Sequence, residues 1–294
     1  MLISIIAPVY NVAPYFTEFV NSVRHQTIPD FELILIDDGS TDGSSEMCDQ
    51  FAQEDDRIKV VHQSNRGASA ARNHGLKLMT GDYVTFVDSD DVLDEDYLQI
   101  LYDHLISHHA DIAVTNYKVF HQANDCFYYY LTDGDLYTKD LTPKEACEYQ
   151  SNWDSNSSIF IVPFCKLFKA ALLEHFQFPE GMIFEDEASI HRLFMKAHKI
   201  VLINENHYIY RQGIPSVMTS QMDDKRVEDL IKCFQIKLTD FVMAGYDYIP
   251  TRNRFERILL DYQRIFEANH LTDSHGYHLI QEMLHFGSQY HGAR

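Results

Sequence analysis

Three carboxylates fall within four residues at Asp88-Ser89-Asp90-Asp91, straight after the strand-like run 82–87 (DYVTFV). Carboxylates this close repel one another unless a cation or hydrogen-bond donors stand among them. They are hard oxygen donors suited to Mg²⁺ or Mn²⁺, and such an ion in turn holds a diphosphate. The plain alternative is helix capping. Asp before a helix is favoured by its side chain and by the dipole, and Asp94 leads the next helical stretch. Capping accounts for one Asp, not three. A second acidic group, Glu185-Asp186-Glu187, heads a helical pattern over 186–197 and, taken alone, reads as acidic first-turn residues.

Residues that could serve a nucleotide stand at the ends of other apolar runs. A base needs an aromatic or apolar shelf and an acceptor for its N–H groups. Tyr10 follows the first run and Asp38 follows FELILI at 31–36, where those are wanted. Arg72, on a helix from Gly67, could reach a base or its phosphates, or simply pair with a nearby Asp. The chain has no GxGxxG and no GxxxxGK(S/T), so neither a dinucleotide fold nor a P-loop is supported.

The elements that must position these groups are legible as an alternation of periods. Apolar runs at 2–7, 31–36, 58–62, 82–87 and 111–117 read as strands. Between them lie helical patterns at 13–27, from Ser40, Thr41 or Asp42 onward, at 67–80 and at 94–108. Continuous apolar strands alternating with helices predict an α/β fold with a mostly parallel sheet covered on both faces. Ligands then bind at the carboxyl ends of the strands, where Pro8, Tyr10, Asp38 and Asp88–Asp91 stand. Residues 118–142 predict an antiparallel excursion or surface loop, and 143–150 a helix. The polar stretch 151–163 around the lone Trp153 predicts irregular chain, with helices at 164–175 and 186–197 and a strand at 200–204. Beyond a boundary near 221, Val227, Leu230/Ile231, Phe234, Leu238 and Phe241 make one apolar helical stripe; Phe255, Ile258/Leu259, Tyr262 and Ile265/Phe266 make another.

ISIIAPVYNV, FELILIDDGSTDGS, NRGASAARNHGL, GDYVTFVDSDD and FPEGMIFEDE, with CKLF and YIYRQGIPSVM, occur here in the order seen in bacterial family 2 glycosyltransferases. The sequence resembles that family over 3–98 almost continuously and then at 165–168, 178–187 and 208–218. The resemblance implies a GT-A fold, Rossmann-like, with a C-terminal helical appendage. Residues 1–220 would form the catalytic domain, with 1–117 the nucleotide-sugar half and 118–220 the acceptor and base half; 221–294 would form the helical region. It also implies inverting transfer from a nucleotide sugar, usually a UDP-sugar, to a hydroxyl of a glycan, glycolipid or glycoprotein. By motif position Pro8, Tyr10 and Asp38 would frame the nucleobase, and Arg72 would support the base or diphosphate. Asp88 and Ser89 would lie on the ribose side. Asp90, with Asp88, would hold Mn²⁺ or Mg²⁺, and Asp91 would lie towards the sugar or acceptor. Asp186, beside Glu185 in the substrate site, would be the general base, kept ionised by a helix start. Arg211 would steady the leaving diphosphate.

Composition narrows the function classes. The 294 residues carry 44 Asp and Glu against 24 Lys and Arg, a net charge of −20, which argues against a nucleic-acid-binding protein. The opening residues lack a basic leader, no apolar stretch approaches a membrane span, and five scattered cysteines predict free thiols. The expected location is cytoplasmic, with the inner face of the membrane as an alternative. The two C-terminal stripes could dock on the catalytic domain, pair with a second subunit to form a homodimer, or touch a membrane weakly through Arg252, Arg254, Arg257 and Arg264. Docking is the expectation. His207 could be a late metal ligand or a rim residue, and the His104/His108 pair lacks a third ligand. A catalytically silent nucleotide-binding homologue that scaffolds a partner transferase is the alternative function, disfavoured because Asp88, Asp90 and Asp186 are all present.

Overall fold

The computed structural model describes residues 1–152, 157–214 and 222–291. Strand β1 (Ile3–Val9) is apolar at every position but Ser4 and is buried on both faces. Such a strand needs a helical layer on each side. The chain supplies them in alternation: α1 (Ala13–Arg24), β2 (Phe31–Asp37), α2 (Ser44–Glu54), β3 (Ile58–His62), α3 (Ala68–Leu78) and β4 (Tyr83–Phe86). These four strands pair in parallel in the order β3-β2-β1-β4. Next come β5 (Val92–Leu93), α4 (Tyr97–Ser107), β6 (Ile112–His121), β7 (Cys126–Tyr129) and β8 (Tyr137–Leu141). They are followed by α5 (Pro143–Ser151), α6 (Ser157–Ile161), β9 (Lys166–Lys169), α7 (Ile190–Lys196) and β10 (Ile200–Gln212). Helices α8 (Asp224–Ala244), α9 (Ile249–Ala268) and α10 (His275–His291) end the described chain.

One sheet carries these strands in the order β3-β2-β1-β4-β9-β6-β10-β5, with β7 beside β6 and β8 beside β10. The α/β expectation holds, and the parallel arrangement holds for β1–β4 and for the β6–β10 pair. Strands β5, β7, β8 and β9 join antiparallel, so the second half of the sheet is mixed. Gly75 on α3 fixes the approach of that helix to β1, because a Cβ there would overlap the buried Ile6 side chain.

Several boundaries differ from the sequence reading. The helix expected at 164–175 is instead β9 followed by a 3₁₀ turn at Ala170–Leu173. Leu167 and Phe168 slot between β4 and β6, pairing with Ala113 and Val84, and both are fully buried. Strand β10 runs to Gln212, well past 204, through a register shift near Asn204 and Asn206 whose amides bind the carbonyls of Asp135 and Leu131. The helix expected from residues 40–42 begins at Ser44, because Gly43 takes a left-handed φ of 100° at its N-cap. Part of the stretch expected to be irregular forms α6. Trp153, the boundary near 221 and the end of the 208–218 motif (residues 215–218) lie outside the described residues.

Two apolar clusters sandwich the sheet, and a third lies within the C-terminal helices. The third also takes in Ala188, Met182 and Phe184 from the segment before α7, and Phe241 of α8 joins the second cluster. The helices therefore dock on the α/β body, as the stripes predicted. All five cysteines are free thiols, and no described helix is long and apolar enough to cross a membrane.

Candidate active site

Parallel pairing sets the ends of β1, β2 and β4 side by side, with Val9 opposite Asp37 and Ile6 opposite Phe86. Tyr10, just beyond β1, is half exposed at 49% and offers an open ring face. Ser89 turns inward, its hydroxyl donating to the Pro8 carbonyl at 2.7 Å, which ties the β4 end to the β1 end. Asp38 is also turned inward, at 3% exposure. It accepts from the backbone N–H groups of Arg66 (2.9 Å) and Gly67 (2.7 Å) and from the Gln63 amide (2.8 Å). Asp38 stands just past the end of β2, and its carboxylate shapes the loop into α3, where Gly67 takes a φ of 87°.

Arg72 joins the two acidic groups. From α3 its guanidinium donates to Asp88 Oδ1 at 2.9 Å and to Glu185 Oε1 at 2.7 Å, while its buried Nε finds no acceptor among the described residues. Asp88 and Asp90 are each partly exposed. Burial, and then the Asp88 charge, push the Asp90 carboxyl up to about 6. Asp91 departs from its expected place towards the sugar or acceptor. It is 1% exposed and accepts from the Tyr208 hydroxyl at 2.6 Å and the Arg211 backbone at 2.8 Å, so it locks β10 to the end of β4. Burial followed by repulsion from Asp90 and Asp88 raises its proton affinity.

Arg211 is likewise committed inside the protein. Its guanidinium donates to the Asp90 carbonyl (2.8 Å), to Glu18 (2.6 Å) and to Gln122, and lies over the Tyr15 ring at 5.0 Å. In this arrangement it braces the Asp90 backbone instead of facing an open cleft.

Asp186 lies in the turn before α7, with Ser189 as the helix N-cap. The expected helix-start stabilisation of its charge is therefore absent. Burial, and then the neighbouring Glu185, raise its carboxyl to about 7, although the Glu187 N–H donates to it at 2.7 Å. Glu187 goes the other way. Burial alone would raise it, yet Lys237 at 2.5 Å and Arg254 at 2.7 Å hold it down to about 2. Lys166 of the CKLF motif is fully buried, donates to the carbonyls of Ile159, Val162 and Phe164, and is lowered by burial to about 7.

Both ring nitrogens of His207 are engaged, by Asp96 and Glu205 at 3.0 Å each, which fits the rim role. His104 and His108 stack on each other at 5.6 Å, and His108 pairs with Asp140. Tyr208 and Lys237 were not singled out from the sequence, and Glu187 and Arg254 were read there only as an acidic first-turn residue and as part of a basic helix face. Tyr208 lies inside the YIYRQ motif and was within reach of that reading; Lys237 and Arg254 lie 50 and 67 residues from their partner and carry no local signal.

Among the described residues no group of three or more His, Cys, Asp or Glu converges on a single metal position. Asp88 and Asp90 can supply two hard oxygen donors. That number suits Mg²⁺ or Mn²⁺, which fill the rest of their shell with phosphate oxygens and water.

Residues 4–176 match the family described as Glycosyl transferase family 2. The glycosyltransferase GlyG of Streptococcus pneumoniae serotype 4 is 40% identical over 278 residues, covering 94% of this chain and 92% of its own. GlyA from the same organism is 34% identical over 269 residues, and there the match spans only 37% of the relative's length. In fold, the chain is similar to S. aureus TarS 1–349 solved with UDP-GlcNAc. The TM-score is 0.67 at 20% identity, covering 98% of this chain and 92% of that one. With its α/β sheet, its acid-rich strand end and its C-terminal helices, the chain belongs to the family 2 glycosyltransferases.

Proposed function

We propose that the protein transfers a hexose or N-acetylhexosamine, with inversion, from a UDP-sugar to a hydroxyl of a glycan, glycolipid or glycoprotein acceptor. The observation that carries this reading is the Arg72 bridge. One guanidinium spans Asp88 at the strand end and Glu185 beside Asp186, which brings the two acidic groups together on either side of Arg72. The fold shared with TarS, solved with UDP-GlcNAc, supports the choice of nucleotide.

Each residue then has a physical task. Tyr10 offers the base its exposed ring, with the Asp38-ordered loop behind it. Asp88 and Asp90 would hold Mn²⁺ or Mg²⁺, which supplies positive charge to a leaving diphosphate. Arg72, bonded to Asp88, adds a fixed positive charge next to those carboxylates. In-line attack needs the acceptor hydroxyl to lose its proton as the bond forms, and a carboxylate near 7 is matched to that work at neutral pH. Glu185, held by Arg72, keeps Asp186 from ionising too readily.

UDP release from UDP-glucose, UDP-galactose, UDP-N-acetylglucosamine and UDP-N-acetylgalactosamine, each with Mn²⁺, Mg²⁺ or EDTA, tests the reading without a known acceptor. Release from one or two donors that stops in EDTA is expected. Release that is insensitive to EDTA would remove the metal.

A further inference from the structure

The turn that carries Asp186 is gripped from one side by α8 and α9. Its backbone includes Phe184 at a φ of 68°, a left-handed conformation that a non-glycine residue keeps only where its surroundings hold it. Asp229 accepts the Ile183 N–H at 2.8 Å, and Lys225 donates to the Gly181 carbonyl at 2.9 Å. Lys237 and Arg254 take the two oxygens of Glu187. Asp240 takes His191 at 2.8 Å and Arg192 at 2.6 Å, at the start of α7. On α8, residues 225, 229, 237 and 240 fall on one face by the 3.6-residue period. That face follows the segment 181–192 with polar groups where a helix that merely packs would place apolar ones.

Stability alone does not account for the arrangement. Lys237 is fully buried and Glu187 nearly so, and a buried ion pair is commonly no more stable than apolar residues of the same size. What the pair supplies is a fixed position. Holding the Glu187 side chain fixes its peptide N–H, which is the group that donates to Asp186 Oδ1 at 2.7 Å. On the other flank Arg72 holds Glu185.

We propose that Lys237 and Arg254, acting through Glu187, are positioning residues for Asp186, so that the C-terminal helices take part in building the catalytic site. This rests on the reading of Asp186 as the base. The charged and titratable groups that face Asp186 are Glu185 and Glu187 from its own turn, Arg72 of α3, Lys166 of β9 and Cys233 of α8. Lys237 and Arg254 stand behind Glu187.

The test compares the wild type with K237M, K237R, E187Q and D186N. Their UDP release is followed across neutral pH with whichever of the four UDP-sugars supports it, alongside UDP titrations. Removing the Lys237 charge leaves Glu187 under-neutralised, so K237M should move the rising limb of the pH profile upward, and E187Q should move it downward, by roughly half a unit or more each. K237M should lose about tenfold or more in kcat with UDP affinity unchanged, and K237R should recover most of it. Equal limbs, limbs that move together, or a kcat loss matched by lost UDP affinity would overturn the proposal. If D186N is dead while K237M behaves as wild type, only the positioning role falls; if D186N still transfers, the base reading itself falls. Hydrogen exchange gives a readout free of activity. K237M should speed exchange at 183–190 while β1–β4 are unchanged, and no change or a uniform change would count against the proposal.

Discussion

The two acidic groups of the site are built on the same plan with different partners. In each, one carboxylate is held by Arg72, Asp88 in the first and Glu185 in the second. In each, one is turned into the protein, Asp91 towards β10 and Glu187 towards α8 and α9. In each, the third is a carboxyl with raised proton affinity, Asp90 at about 6 and Asp186 at about 7, and in the first group the inward Asp91 is raised as well. The inward partners differ. Asp91 meets a tyrosine hydroxyl and a peptide N–H, which are neutral, whereas Glu187 meets a lysine and an arginine. Fixed cations thus neutralise the second group. In the first, Arg72 is shared with Glu185, and Arg211 spends its donors on Glu18, Gln122 and a carbonyl. A cluster short of fixed positive charge is the one that wants a divalent cation from solution; a cluster already neutralised is free to do proton chemistry.

The largest expected effect comes from removing the base. D186N should lower transfer by about 10²- to 10⁴-fold with UDP affinity nearly unchanged, as read by UDP release and titration. Because the Asp186 carboxyl is raised and the base acts ionised, wild-type transfer should climb as pH rises through about 7. A flat profile from acid to neutral would remove the raised carboxyl from the mechanism.

Stability measurements sharpen the contrast between charged and neutral partners. K237M leaves the buried Glu187 with Arg254 and without the lysine charge on its other oxygen, and should cost about 3–5 kcal/mol in denaturant unfolding. Y208F removes a neutral donor from Asp91 and should cost only about 1–3 kcal/mol. Equal costs would erase the distinction. The smallest effect is acid sensitivity. Glu187 is depressed from its ordinary 4.5 to about 2, so its pairing contributes stability above pH 4.5 that drains away as pH falls through about 2. E187Q should flatten that part of the stability profile, measured by urea unfolding at a series of acid pH values.

Much of the first half was legible because each element there declares itself locally. Leu33 to Ile36 and Ile3 to Ala7 are continuous buried runs, and α3 opens at Gly67 as its pattern suggested. Leu167 and Phe168 misled, because a four-residue strand is too short for its period to be told from that of a helix. At the site, residue types were easier to read than orientations. Asp38 and Asp91 stand just past the expected strand ends and Arg211 on a strand that runs beyond its expected end, but which way each side chain turns is decided by contacts far away in sequence. Asp91, for instance, meets Tyr208 and Arg211 across 117 and 120 residues. The Glu187 clamp was illegible for the same reason. Its three members belong to separate elements, and a buried Lys237 looks in sequence like any other lysine on a helix.

The contrast between the two acidic groups is most directly tested by the Mn²⁺ dependence of UDP affinity in the wild type, D90N and D186N, measured by calorimetric titration. Wild type and D186N should bind UDP at least about tenfold more tightly with Mn²⁺ than with EDTA, while D90N should lose that difference. A D90N protein that keeps the full Mn²⁺ effect, or a D186N protein that loses it, would contradict the assignment of metal to one group and proton to the other.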